Sequence, residues 1–312
     1  MDSKDMYVIE NGCVIKKKGY NFVVSKNNEK IIEMPYSKVN KLILIGSQSI
    51  TPQAVEFALE KEKNIFFLNK YGKVKGIIQS SNRKNVFLRL AQYELWRDKE
   101  KRLEFAKAIV AGKVKNQNKF LKKYRQTTFD IEHILNKINA ASDINILLGI
   151  EGECSKKYFG NFDNIILGDL KFEKRTRRPP ENEFNALLSL TYTLTKNNIL
   201  YNLEEENLDS YIGYLHSVKY GRESLALDVL ETFRSYCDYL VIKWINRKEF
   251  KKYDFKISED GIFLTDNGFR KYLQKYNKEF SEVLKEQIKL QISYLKKTVL
   301  DNTEYKMIDV KY

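Results

Sequence analysis

The chain contains two histidines. One of them, His216, lies just upstream of a Leu-rich segment, SLALDVLETFR (224–234), that nevertheless carries Asp228 and Glu231. At about 100° per residue, Leu225, Ala226, Leu227, Val229, Leu230, Phe233, Leu240, Val241 and Trp244 cover most of a helical circumference, and Ser224, Asp228, Glu231 and Ser235 fall in one narrow stripe. A helix that is apolar on most sides is a buried helix, so its acidic stripe faces a cation, a basic side chain or a wet cleft. A salt bridge to an arginine on a neighbouring helix satisfies the same pattern. The stretch ILLGIEGECSKKYF (146–159) repeats the theme. On a helix, Glu151 shares its face with Ile144, Leu147, Leu148, Cys154 and Tyr158, while Glu153 points the other way. Gly149 and Gly152 flank Glu151 and would let another backbone approach closely. Glu151, His216 and an acidic residue of the later helix together form a possible metal set. Hard oxygen ligands with one imidazole suit manganese or magnesium better than zinc. His133, in DIEHILNKI, has no such company and reads as structural or exposed.

These residues need rigid elements to hold them. Over the first 80 residues or so the chain has the period of strands, broken at Asn11-Gly12, Gly19 and Asn27-Asn28. VNKLILIG (39–46) is a further strand. TPQAVEFALEKE (51–62) is a helix with Thr51 as N-cap and Pro52 in its first turn, and NIFFLN and KVKGIIQ are two more strands. After Ser80-Ser81-Asn82 the period changes, and from Val86 to about Asn302 nearly every segment reads as amphipathic helix. The expected fold class is α+β: a small β-rich, β-sandwich-like domain over 1–82, followed by a larger all-α domain over 83–312.

The 312-residue chain carries a net charge of +14, an excess that points to a polyanionic partner, most often nucleic acid. A merely Lys-rich surface gives the same sum. KFLKKYR (119–125), KFEKRTRRPP (171–180) and Arg222 are the candidate phosphate contacts, with Arg175, Arg177 and Arg178 foremost. No apolar run exceeds a few residues, so no membrane span is expected, and no signal peptide is evident. Cys13, Cys154 and Cys237 are odd in number and widely spaced, which reads as reduced, buried thiols in a cytoplasmic protein.

GIEG (149–152), RPPENEFNALLS (178–189), YIGYLH (211–216), GRESLALDVLETFR (221–234) and GIFLTDNG (261–268) occur in this order. In that order and spacing they resemble the successive motifs of the CRISPR-associated integrase of spacer acquisition, the Cas one family. TPQAVEFALEKEKNIFFLNKYGKVKG is similar to that family's β-domain, so the likeness spans nearly the whole chain. The resemblance implies Glu151, His216 and Glu231 as ligands of a magnesium or manganese ion, and Asp228 as their auxiliary acidic partner. It also implies Asn185 as a residue close to the site, and Asn185 joins the arginines as a candidate DNA contact. The sequence departs from the family at Asn182-Glu183, where Asp-Pro is common, and at Ser235, where Pro often follows Phe-Arg; neither position is a ligand.

The activity implied is metal-dependent integration of DNA. The free 3′-hydroxyl of an incoming fragment attacks a phosphodiester at the edge of a CRISPR repeat, with an associated endonuclease or reverse-integration activity. No ATP is needed, and no GxxxxGK[ST] loop is present. The partners implied are double-stranded and branched DNA, a second copy of the chain joined through the β-domains, and the small protein Cas two. Two alternatives share the same residues: a branched-DNA nuclease without an integrase role, and a non-catalytic DNA-binding scaffold whose carboxylates only make salt bridges.

Overall fold

A computed structural model describes residues 4–80, 85–170, 172–176, 179–280 and 282–312. The chain divides into two compact units, Met1–Arg83 and Lys84–Tyr312. The sequence boundary at Asn82 falls on 81–84, outside the described residues.

The described residues of the first unit hold two four-stranded sheets, one α-helix and a short 3-10 turn at Tyr36–Lys38. Its strands are β1 (Lys4–Val8), β2 (Val14–Lys18), β3 (Asn21–Lys26), β4 (Glu29–Pro35), β5 (Val39–Ile45), β6 (Ser49–Ile50), β7 (Ile65–Leu68) and β8 (Val74–Ile78). One sheet has the order β1-β5-β7-β8, the other β4-β3-β2-β6. Asn27 and Asn28 both take positive φ, 50° and 64°, as a two-residue turn between antiparallel β3 and β4 requires. Helix α1 (Pro52–Glu60) is capped by Thr51, whose side chain accepts the Ala54 N–H. Met6, Ile15, Phe22, Leu42, Phe57 and Ile65 come from both sheets and α1 and join one apolar core, which makes the unit sandwich-like. β1 pairs in parallel with β5 and not with its sequence neighbour β2.

The second unit contains α2 (Val86–Arg97), α3 (Lys99–Lys123), α4 (Ile131–Ala140), α5 (Ile144–Phe159), α6 (Phe162–Ile165), α7 (Glu183–Glu205), α8 (Ser224–Asn246), α9 (Asp266–Glu279) and α10 (Glu282–Asp301). One hairpin, β9 (Phe255–Ser258) with β10 (Gly261–Leu264), interrupts the helices, a departure from the all-α expectation, and non-helical segments join α6 to α7 and α7 to α8. Helices α7 and α8 are buried around most of their circumference and pack on each other. Helix α3 lies against both α8 and α5. That packing brings the carboxylates together, because Glu151 is on α5 and Glu231 on α8. The three cysteines are buried and unpaired, and no helix among the described residues is long and apolar enough to cross a membrane.

Candidate metal centre

The acidic stripe of α8 is buried along its whole length: Ser224, Asp228, Glu231 and Ser235 are each enclosed. Its members do different things. Asp228 turns toward the segment before its own helix, where its Oδ2 accepts the N–H groups of Tyr214 at 2.5 Å and Leu215 at 3.1 Å. Its Oδ1 accepts the His216 N–H at 2.9 Å and lies 2.7 Å from His216 Nδ1. One carboxylate thus satisfies three successive backbone donors and orients the imidazole. The chain comes close enough because residue 213 is a glycine: a Cβ there would lie 2.6 Å from Ser224 Cβ and 2.8 Å from the His216 carbonyl oxygen. From the other side, Arg102 of α3 donates to the Tyr214 carbonyl at 3.1 Å, and Phe105 stacks on the Tyr214 ring at 4.1 Å.

Glu231, one turn further along α8, faces the imidazole, with Oε1 3.9 Å from His216 Nε2. Arg234 grips it through Nε at 2.8 Å from both carboxylate oxygens. Burial would push the Glu231 carboxyl up, but the Arg234 guanidinium, the Lys113 ammonium and His216 outweigh it and hold the group far below its ordinary range. The Arg234 guanidinium also lies over the Tyr192 ring, 4.7 Å from its centroid. The Tyr192 hydroxyl donates to Asp238 at 2.5 Å, as does Tyr158 at 2.8 Å. Burial pushes the Asp238 carboxyl up to about 6 even though both hydroxyls oppose the rise.

Glu151 reaches the same place from α5. Its side chain is 21 % exposed and accepts from Ser155 Oγ at 2.8 Å. It sits at the edge of the buried face, not in the middle of it: Leu147, Cys154 and Tyr158 are buried, but Leu148 is 40 % exposed. The close backbone approach expected at Gly149 and Gly152 does not occur, since nothing lies within 4 Å of a Cβ built at either. Helix α5 meets its neighbours through the face of Leu147, Cys154 and Tyr158, and the two glycines look away from it. Glu153 points away and pairs with Lys157 at 2.8 Å, and His133 is exposed.

The residue that joins the two halves is Lys113 of α3. Its ammonium, with only 5 % of the side chain exposed, contacts Glu151 and lies 2.7 Å from Glu231 Oε2. Sequence reading missed it. The available signal was a lysine within KAIVAGKVKNQ, at helical spacing from Ile109, Val110 and Gln117, on a face that is otherwise buried. Asn116, next to it, fixes the register of α3 against α8 by donating to the Thr232 carbonyl at 3.2 Å.

Two carboxylates and an imidazole nitrogen suit a hard divalent cation, and here two of these groups already meet on a positive charge. Among the described residues no group of three His, Cys, Asp or Glu side chains closes on a single point; the lysine stands between them. The donor types are those of a magnesium or manganese site, and Glu151, Glu231 and His216 Nε2 are the residues that would hold such an ion once they closed on one point.

The remaining predicted residues have other partners, are exposed, or lie outside the described residues. Asn185 is buried on α7, where its Oδ1 accepts from Arg175 at 2.9 Å and the Thr176 N–H at 3.2 Å, and its Nδ2 donates to the Lys174 carbonyl at 2.8 Å. It clamps the segment 172–176 onto α7. Arg175 also reaches Ser189 Oγ at 3.1 Å and lies over the Tyr192 ring at 5.5 Å. Asn182, a departure from the family pattern, caps α7 by accepting the Asn185 N–H at 2.8 Å. Arg177 and Arg178 lie outside the described residues. Arg222 closes its own loop through the Ser217 carbonyl and hydroxyl, the latter at 2.9 Å. Lys119, Lys122, Lys123 and Arg125 are exposed on α3 and just beyond it.

Comparison with known proteins agrees with this architecture. The family model described as CRISPR associated protein Cas1 matches residues 6–278. A CRISPR-associated endonuclease Cas1 of Thermus thermophilus is 31% identical over 281 residues, covering 89% of this chain and 85% of that one. Among solved structures, a Cas1 protein of Thermotoga maritima superposes with a TM-score of 0.86 at 27% identity, covering 99% of this chain and 100% of the other. A casposase bound to integration product has a TM-score of 0.83 at 22% identity, covering 99% and 96%. A Cas6-RT-Cas1–Cas2 complex has a TM-score of 0.81 at 23% identity, covering 100% of this chain and 37% of the matched one; at such identities these last two share the fold. The chain belongs to the Cas1 family.

Proposed function

We propose that this chain is a DNA integrase and endonuclease of CRISPR adaptation, dependent on magnesium or manganese held by Glu151, His216 and Glu231. The observation that carries the reading is the convergence of Glu151 and Glu231 on one cationic nitrogen, beside an imidazole whose Nε2 lies 3.9 Å from Glu231. The curated relative from Thermus is an endonuclease by name, and a structural neighbour is a casposase bound to integration product.

The chemistry is transesterification. The 3′-hydroxyl oxygen of the incoming strand forms a new P–O bond at a repeat-edge phosphate, the old P–O bond breaks, and the displaced strand leaves with its own 3′-hydroxyl. One phosphodiester replaces another, so no nucleotide is consumed. A divalent ion held by Glu151, His216 and Glu231 would supply polarisation of the scissile phosphate and offset charge in the transition state. The chain's own residues prepare the centre. Asp228 holds Nδ1 of His216, leaving Nε2 directed toward Glu231, and Arg234 holds both Glu231 oxygens. The exposed lysines of 119–125 and the arginines of 175–178 are the proposed phosphate contacts. The first unit is the proposed dimerisation module, and Cas2 the proposed protein partner, as in the complex matched above.

Strand transfer on a branched DNA that mimics a half-integrated fragment tests the reading. Joined product should form with wild type and manganese or magnesium. It should vanish in Glu151→Ala and His216→Ala while both variants still bind DNA. Cleavage of the branch without joining would favour the nuclease, and full activity in the variants would leave the carboxylates with a structural role.

A further inference from the structure

A buried lysine between two carboxylates assigned to a metal raises the question of what it does. Its side chain is enclosed, and both anionic partners are within reach of one Nζ. Glu231 already has a full guanidinium partner in Arg234, so pairing that carboxylate does not require a second cation. Glu151 has, among the described residues, the Ser155 hydroxyl as its partner besides Lys113. Without Lys113 the two carboxylates would face each other at short range with the Arg234 guanidinium bound to Glu231 alone, an arrangement that like-charge repulsion opens. A lysine head is a compact charge on a flexible four-carbon stem, unlike the planar fork of Arg234. Access from solvent also exists: the Glu151 side chain is 21 % exposed.

We propose that Lys113 is a built-in counter-cation of this centre, holding Glu151 and Glu231 together in the metal-free protein and leaving when a divalent ion takes its place. The inference rests on the metal reading of Glu151, His216 and Glu231. It makes ion binding an exchange of one cation for another, so the ion's affinity is set partly by the contacts that Lys113 gives up.

The test measures Mn²⁺ binding calorimetrically in wild type, Lys113→Met and Glu151→Gln, with thermal unfolding of each protein with and without Mn²⁺. Lys113→Met should bind Mn²⁺ about tenfold tighter, the change expected when a competitor loses one charge-assisted hydrogen bond. Its metal-free form should melt lower than wild type, and Mn²⁺ should raise its melting temperature by more than it raises that of wild type. In wild type alone, modification of Lys113 by an amine-acetylating reagent, read by mass spectrometry, should rise several-fold when Mn²⁺ is added. This arm needs no variant to fold. If Glu151→Gln binds Mn²⁺ as well as wild type, the metal site is misassigned and the inference falls with it. If Glu151→Gln loses binding but Lys113→Met binds no tighter, or Lys113 labelling does not respond to Mn²⁺, the site stands and the counter-cation role is overturned.

Discussion

Oδ1 of Asp228 accepts the backbone N–H of His216 at 2.9 Å and lies 2.7 Å from Nδ1 of the same residue. One oxygen thereby fixes both where the histidine sits and which ring nitrogen faces Glu231. This geometry gives Asp228 a means of positioning His216. Asp228→Asn keeps the size but loses an acceptor, and it should lower metal-dependent strand transfer or metal affinity by about 10–100-fold. DNA binding should be unchanged. Asp228→Ala, which strands three backbone donors, should cost about 3 kcal/mol or more in urea unfolding. Equal effects of both variants on activity and stability would assign Asp228 a structural role alone.

Arg234 makes a two-pronged contact with a carboxylate that is 3 % exposed. Removing it leaves Glu231 with less compensation in an enclosed place, and Arg234→Ala should lose about 3–5 kcal/mol of stability. Arg234→Lys restores the charge but not the planar fork, and should fall between the two. Chemical denaturation of the three proteins in metal-free buffer orders them.

Asp238 carries the pH dependence most open to test. Burial pushes its carboxyl up to about 6, from an ordinary value of 3.8. The folded protein therefore binds this proton more tightly than the unfolded chain does, so the contribution of the group is greatest below pH 4 and is lost as pH rises to about 6. The loss amounts to about 3 kcal/mol at most. Asp238→Asn does not titrate, and the hydroxyls of Tyr158 and Tyr192 still have a polar partner. The difference in melting temperature, variant minus wild type, should increase from pH 4 to pH 6 and then level off. A flat difference would show that the carboxyl does not change protonation in this range.

Asn185 ties 172–176 to α7 through hydrogen bonds to Arg175, Thr176 and Lys174. Asn185→Ala should destabilise the protein by about 2–3 kcal/mol. Trypsin should then cut after Lys174 or Arg175 much faster than in wild type, at a concentration that leaves the helices intact. Unaltered cleavage would mean that other contacts hold the segment.

Much of the centre was legible because its signals are local. Thr51 and Pro52 announce α1 within one turn, the Asn27-Asn28 pair announces a tight hairpin, and the stripe of Ser224, Asp228, Glu231 and Ser235 follows from the 3.6-residue period of one helix. The motif order then singled out Glu231 as the expected ligand from the acidic residues of that helix. The period of α5 was less informative: it placed Leu148 on the buried face and did not reveal that Gly149 and Gly152 border open space.

The sequence by itself determined that carboxylates lie on helices built for burial, because amphipathic period and cap chemistry depend on residues a few positions apart. Only the tertiary structure decided what neutralises them. Lys113 is 38 residues from Glu151 in the chain, and Tyr192 is 46 from Asp238. The packing of α3 on α5 and α8 brings the first pair together, and that of α7 on α8 and α5 on the same core surrounds Asp238. β1 likewise skips β2 to pair with β5. A buried charge must find its opposite somewhere, and that requirement names no position along the chain until the helices are packed.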